Sequence, residues 1–373
     1  MELKFPGKTV WGWGSVTDLG KEAKKLGGKA LVMTGRKAMK ESGILAKVER
    51  TLEAAGVERV LFSDVEPEPS PETVDRAVAV GREHHCDMVL GLGGGSVLDA
   101  AKAVAALIPQ DAPARVFLYE RELLDKGLPF IAIPTTSGTS SEATKNGVLS
   151  DHEKGLKVSL RSPYMVPDLV ILDPELTVRM SQGLTAATGM DALTHACESY
   201  VANNANPLTQ ALSLSALELL AANIEMAWEQ GDNRQAREAM LLGSYLAGVA
   251  LTNSGLGAVH GLAHALGARF HIPHGVCCAL LLPTVMEFNL ETCRTKYARV
   301  AKAMDRGETA EDAIEGVKSI EKSMALPTGF SVFGVKKSDF DQLIADTKYS
   351  GSLKYNPRKA GPEELALILE RSL

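Results

Sequence analysis

The sequence predicts an α/β domain built on a doubly wound parallel sheet, followed by an all-helical domain. Three observations carry that prediction. Short apolar runs alternate with helix-like segments through the first half, which is the signature of βαβ units. One of those runs, "DMVLGL" (87–92), is continuously apolar, as a parallel strand covered on both faces must be. Beyond "PDLVILDPEL" (167–176) no further clear strand occurs, and alanine- and leucine-rich segments run to the end. A chain of 373 residues is long enough for two domains, placed here at 1–178 and 179–373.

In order, "KALVMTG" (29–35) reads as a β-rich run ending at Gly35. "GILAKVERTLEAAG" follows as a helix, with Ile44, Val48 and Leu52 recurring at spacing four. "RVLFSDV" (59–65) is the next strand, and "SPETVDRAVAVGREHH" the next helix, with Ser70 as N-cap and Pro71 in its first turn. After strand 87–92 come the helix "SVLDAAKAVAALI" and the strand "PFIAIPT" (129–135). There is no internal repeat. An α/β domain joined to a helical one makes a cleft where ligands commonly bind.

Composition narrows the class. With 45% hydrophobic and 23% charged residues the chain is soluble and globular in type. Its net charge of −6, with no Lys/Arg cluster, excludes a nucleic-acid partner. Five cysteines without a CxxC pair, and an N-terminus without the apolar core of a signal peptide, place it in the cytoplasm. Residues 239–268 lack Asp, Glu, Lys and Arg, but polar residues and glycines interrupt them near "NSGLG". Two buried helices account for the run better than a membrane span.

The turn "GLGGGS" puts Gly93, Gly94, Gly95 and Ser96 between a strand and a helix, where unpaired N–H groups and the helix dipole suit a phosphate. It is not the usual dinucleotide pattern, because Ser96 stands where that pattern needs its last glycine and the turn follows the third strand. "PTTSGTSSEAT" (134–144) is a hydroxyl-rich loop that fits phosphate, ribose or carboxamide, or simply turns and caps. Downstream, Asp191 and His195 are four apart, as are His260 and His264, so each pair shares a helix face. His274 follows just past the second helix, where the chain turns. A carboxylate and two or three imidazoles suit a divalent first-row metal. Gly261 after His260 removes the base of an H-E-x-x-H peptidase, and His271 has no spacing that demands a ligand role.

Four segments, "GLGGGSVLDAAKAVA", "IPTTSGTSSEAT", "TAATGMDALTHACESY" and "GAVHGLAHALGARFHIPHGVCCALLLP", resemble in order and spacing the iron-containing (group III) alcohol dehydrogenases. The similarity runs from "WGWGS" to "NPR" (356–358). It implies an N-terminal nucleotide domain, a C-terminal helical metal-binding domain, and metal and nicotinamide in the cleft. Carried onto this chain, the metal ligands are Asp191, His195, His260 and His274, and the additional active-site histidine is His264. The cofactor contacts are Gly94, Gly95, Ser96, Thr135, Thr136, Thr139, Thr144 and Lys157. A histidine at 195 favours the iron branch over the related zinc glycerol dehydrogenases. The resemblance also implies a homodimer or larger homo-oligomer.

The implied reaction is reversible hydride transfer between a small primary alcohol or diol and a nicotinamide. The metal, Fe²⁺ with Zn²⁺ as the alternative, acts as Lewis acid, and His264 relays the proton. Where NAD-preferring members carry an acidic residue after the first strand, this chain has Gly35 followed by Arg36 and Lys37. Loss of that carboxylate removes repulsion of a 2′-phosphate and predicts a preference for NADP(H) over NAD(H). Glu68 stands where many relatives have Asn. Leu256, Ala258 and Phe270 suggest a partly apolar substrate pocket. The competing readings are a zinc-dependent polyol dehydrogenase and a redox-silent metal lyase or cyclase on the same scaffold.

Overall fold

The computed structural model describes residues 2–373. The chain forms two compact units: one runs to Thr136 and includes Ser140–Lys154 and Val158–Arg179; the other comprises Ser137–Thr139, Gly155–Lys157 and Met180–Leu373.

The first unit holds β1 (Lys8–Trp11), α1 (Leu19–Ala23), β2 (Lys29–Gly35), α2 (Ala38–Glu41), α3 (Ile44–Ala54), β3 (Glu58–Val65), α4 (Pro71–Glu83), β4 (Met88–Gly93), α5 (Gly95–Leu107), α6 (Ala114–Tyr119), β5 (Phe130–Pro134) and β8 (Leu169–Leu172). A separate two-stranded sheet pairs β6 (Asn146–Asp151) with β7 (Leu156–Arg161). The main sheet has the order β1-β8-β5-β4-β2-β3, and every neighbouring pair is parallel. Every residue of β4 is buried, as its unbroken apolar run requires. On one face Ala30, Val32, Met88, Leu90, Leu92, Ile131 and Ile133 pack with Leu19, Val48 and Leu52 from α1 and α3. The other face meets α5, where Ala101 and Leu98 approach Gly91 too closely for a side chain at 91. The predicted N-cap is real: Ser70 Oγ accepts from Thr73 N at 3.2 Å, with Pro71 opening α4.

Three strands escape the sequence reading. β1 has four residues and lies at the sheet edge with Trp11 49% exposed, so it carries no buried run to betray it. β6 and β7 mix polar and apolar residues and belong to the small sheet.

The second unit is helical among the described residues: α7 (Gln182–Val201), α8 (Pro207–Glu229), α9 (Arg234–Ser254), α10 (Ala258–Phe270), α11 (His274–Ala303), α12 (Ala310–Ser323), α13 (Phe340–Asp346) and α14 (Pro362–Arg371). The charge-free run 239–268 is two helices, α9 and α10, bent by 106°. Gly255 makes the corner with φ +80° and sits against the Tyr355 ring, so a side chain there is excluded twice over. α11 is long and apolar enough to cross a membrane, but 72% of its apolar window is buried inside the protein.

Candidate functional site

α7, α10 and the start of α11 supply one buried polar cluster. α7 is buried on nearly all sides, so Asp191 and His195 project into protein rather than solvent. α11 approaches α7 so closely that a Cβ on Gly275 would lie 1.9 Å from the Ala187 carbonyl oxygen. Only glycine permits that contact, and it seats the adjacent His274 beside Asp191. His274 is the first residue of α11, not part of a turn beyond α10 as its "IPHG" setting suggests. The turn between the helices is made by His271, exposed, with φ +54° at the C-cap of α10. A left-handed helix terminator is therefore the role of His271.

α10 begins at Gly257 without a side-chain cap of its own. Its first N–H groups are met from elsewhere: Ala258 N donates to Asn356 Oδ1 at 3.2 Å and Val259 N to Glu198 Oε1 at 2.8 Å. The "NPR" segment thus acts on the site by holding a helix end. Glu198 also takes His260 Nδ1 at 2.7 Å through its other oxygen. A carboxylate accepts, so Nδ1 carries a proton and Nε2 is the nitrogen that faces the cluster, the orientation of metal-binding imidazoles, whose ligating nitrogen gives up any proton to the ion.

The centre of the cluster is Asp191 Oδ1, buried and without a hydrogen-bond partner. Three imidazole nitrogens face it: His260 Nε2 at 3.4 Å, and His195 Nε2 and His274 Nε2 at 3.7 Å. The His195 and His260 rings stack at 4.7 Å. His264 is half-buried, its ring 6.4 Å from that of His260 and 5.2 Å from that of His274. Burial pushes His195 and His274 down to about 4 against the pull of Asp191, so both are neutral and able to ligate at pH 7. Burial works the same way on His260, but Cys278, Asp191 and Glu198 outweigh it and raise its pKa well above the ordinary value. A buried carboxylate oxygen left unpaired among imidazoles is costly unless something cationic completes it. The donor set fits a divalent transition metal.

Glu198 and Cys278 belong to this cluster and were not singled out from the sequence. Glu198 lies in the quoted "CESY", one turn after His195, and Cys278 lies four residues after His274 on the same helix. The i,i+3 and i,i+4 spacings were the available signal. Lys157 Nζ lies 3.4 Å from where a Cβ on Gly267 of α10 would be.

In the first unit, the order in which successive strands are added to the parallel sheet reverses between β2 and β4: β3 lies to one side, and β5 and β8 to the other. Ligands of such sheets bind outside the carboxyl ends of the strands at that switch. Gly35 ends β2 and Arg36 follows it, Gly94 joins β4 to α5, whose first residues are Gly95 and Ser96, and Thr135 and Thr136 follow β5. α5 starts with no side-chain cap. Ser96 Oγ accepts from Glu68 N at 3.2 Å. Glu68 has φ +57°, a conformation that Asn tolerates better than Glu, which is the physical content of that departure. Thr144 is buried and its hydroxyl lies 2.8 Å from Lys102 Nζ, so it is engaged inside the protein. Arg36 Nε donates to Asp64 Oδ1 at 2.7 Å, and Arg76 holds the other Asp64 oxygen at 3.0 Å. Of the residues expected near a pocket, Ala258 is fully buried in the core of the helical unit, and Phe270 packs against that core.

Two family models cover the chain: iron-containing alcohol dehydrogenase over residues 6–174, and the Fe-containing alcohol dehydrogenase family, C-terminal, over 185–373. The chain belongs to the iron-containing alcohol dehydrogenase family. It is 37% identical to the NADPH-dependent butanol dehydrogenase of Clostridium saccharobutylicum, over 99% of this chain and 97% of that protein. It is 32% identical to the NAD-dependent methanol dehydrogenase of Bacillus methanolicus, over 99% of each. A crystal structure of 1,3-propanediol oxidoreductase matches with a TM-score of 0.96 at 35% identity, covering 100% of this chain and 99% of that one. The protein is therefore an NAD(P)-linked oxidoreductase of the alcohol dehydrogenase type, and the lyase and polyol-dehydrogenase alternatives are not favoured.

Proposed function

We propose that the protein transfers hydride reversibly between a small primary alcohol or diol and NADP(H), with a divalent metal, Fe²⁺ in the family's manner, held by Asp191, His195, His260 and His274. The observation that carries this reading is the orphaned Asp191 Oδ1 faced by three imidazole nitrogens at 3.4–3.7 Å. When bound, the ion supplies Lewis acidity at an alcohol oxygen. Glu198 keeps His260 in the tautomer that presents Nε2. His264, half-buried one turn along α10, carries the hydroxyl proton towards solvent. Gly94, Gly95 and Ser96 receive the cofactor phosphates at the open helix end, with Thr135, Thr136, Thr139 and Lys157 as further contacts, while Thr144 acts by anchoring its loop.

The NADP(H) preference rests on Gly35 and on the cations Arg36, Lys37 and Arg76, of which Arg36 and Arg76 share an ion pair with the carboxylate of Asp64. Relatives named for either cofactor match this chain about equally well, so the local charge decides. The five cysteines are all free and buried, which fits a reducing cytoplasm, and a homo-oligomer is the expected assembly.

The test is steady-state kinetics on metal-free protein reloaded with Fe²⁺ or Zn²⁺, using short primary alcohols, diols and aldehydes with each cofactor. Metal-dependent turnover with kcat/KM higher for NADPH than for NADH is expected. Equal or higher kcat/KM with NADH removes the cofactor assignment. No metal-dependent turnover of any alcohol or aldehyde removes the reaction.

A further inference from the structure

Cys278 occupies a place that the four-ligand reading gives to nothing. It is fully buried on α11, one turn after His274 and on the same face. Its Sγ lies 3.7 Å from His260 Nε2 and 3.6 Å from His274 Nε2. Donor atoms of Asp191, His260, His274 and Cys278 all lie within 4.8 Å of one another, a set that does not include His195. Ligands at about 2.0–2.1 Å (N, O) and about 2.3 Å (S) from a tetrahedral ion stand about 3.3–3.6 Å apart along each edge. The Asp191–His260 separation of 3.4 Å and the Cys278–His274 separation of 3.6 Å fall in that range, and the Cys278–His260 and Asp191–His274 separations of 3.7 Å lie just beyond it. Independently of the sulfur, the buried and unpartnered Asp191 Oδ1 points to a cation at the same place.

We propose that Cys278 is a metal ligand in this protein, coordinating as a thiolate beside Asp191, His260 and His274, and that it biases the site towards Zn²⁺ over Fe²⁺. The inference rests on the metal reading above. On binding, the sulfur–metal bond forms as the thiol proton leaves to solvent, with no change of oxidation state. A soft sulfur donor in place of an all-nitrogen and oxygen shell is the reason for the zinc bias. Cys277, its neighbour, is turned away towards the Ile272 carbonyl oxygen at 3.9 Å and does not compete.

The experiment loads metal-free protein with Co²⁺ and records near-ultraviolet and visible spectra of the wild type, Cys278→Ser and His260→Ala. The wild type is expected to show a sulfur-to-cobalt charge-transfer band together with visible ligand-field bands. Cys278→Ser should lose the first and keep the second, and its affinity for Zn²⁺ relative to Fe²⁺ should fall by about tenfold or more. Ligand-field bands without a sulfur band in the wild type, or an unchanged sulfur band in Cys278→Ser, overturn the inference and leave the metal reading standing. Failure of the wild type to take up Co²⁺ at all overturns both. The wild-type spectrum decides even if Cys278→Ser folds poorly.

Discussion

Both units bury a cluster of charge, and these two clusters end differently. In the α/β unit Lys102 is 1% exposed, and its ammonium lies 2.7–3.1 Å from Ser141 O, Ser141 Oγ, Thr144 Oγ1 and Asn146 O. Asp99 beside it takes the Ser141 hydroxyl and the Val148 N–H. Burial pulls Lys102 down to about 8 and pushes Glu142 up to about 7, so this cluster lowers its own charge, and the unpartnered Glu142 Oε1 sits on a carboxyl driven towards neutrality. In the helical unit the neutral His195 and His274 turn towards an Asp191 oxygen that nothing satisfies. A buried carboxyl that burial drives towards neutrality can stay unpartnered in a cluster that holds a loop in place; one that keeps its full charge among imidazoles is built to receive an ion.

The sharpest break of that comparison is His260→Ala, which removes the imidazole closest to Asp191. It should lose metal retention by more than about 100-fold, read as metal content after desalting. His264→Ala should keep its metal and lose turnover instead. Equal metal loss in both variants would erase the distinction between ligand and proton carrier. Next in size, Lys102→Met strands Asp99 and Glu142 and should destabilise the α/β unit by about 3–5 kcal/mol in denaturant unfolding. Metal content should be unaffected, and a parallel loss of metal would show that the Lys102 cluster is not merely structural.

Glu198→Gln is intermediate, because an amide oxygen can still accept from His260 Nδ1 but no longer carries charge. A fall in metal affinity of about 10–100-fold is expected by competition titration. The smallest effect belongs to Glu321 on α12, a control outside both clusters. Burial pushes its carboxyl up to about 8, and its Oε1 has no partner. In the unfolded chain the group ionises near the ordinary value of 4.5. Between these two values the unfolded state holds fewer protons, so stability falls as pH rises and levels off above about 8. Glu321→Gln removes that dependence, and its stability advantage should grow by about 1–2 kcal/mol between pH 6 and pH 9 in urea unfolding. A constant difference across that range would mean the carboxyl is solvated.

Much of this was legible along the chain because it is local. Strands β2 to β5 and their helices show as apolar periodicity, and the phosphate-type turn shows as three glycines between a strand and a helix. Asp191, His195 and His260 show as i,i+4 partners on apolar helices. What failed to show was either short and at an edge, as β1 is, or depended on a partner distant in sequence. Thr144 reads as a loop hydroxyl until Lys102, 42 residues earlier, is seen to hold it. Arg36 reads as a free cation until Asp64 is seen beside it.

The sequence by itself determined the order of the two domains, the switch from short apolar runs between helices to long helical segments, and which side chains share a helix face. Those follow from backbone geometry, which repeats every few residues. Which faces meet was decided only in three dimensions. Gly275 lets α11 touch α7, the corner at Gly255 turns α10 by 106° from α9, and Glu198 and Asn356 hold the uncapped start of α10. Those contacts bring Cys278 of α11 in beside His260 of α10, and the left-handed turn at His271 leaves that side chain exposed. Helix spacing can pair two histidines, but only the crossing of helices decides what third and fourth atoms stand opposite them.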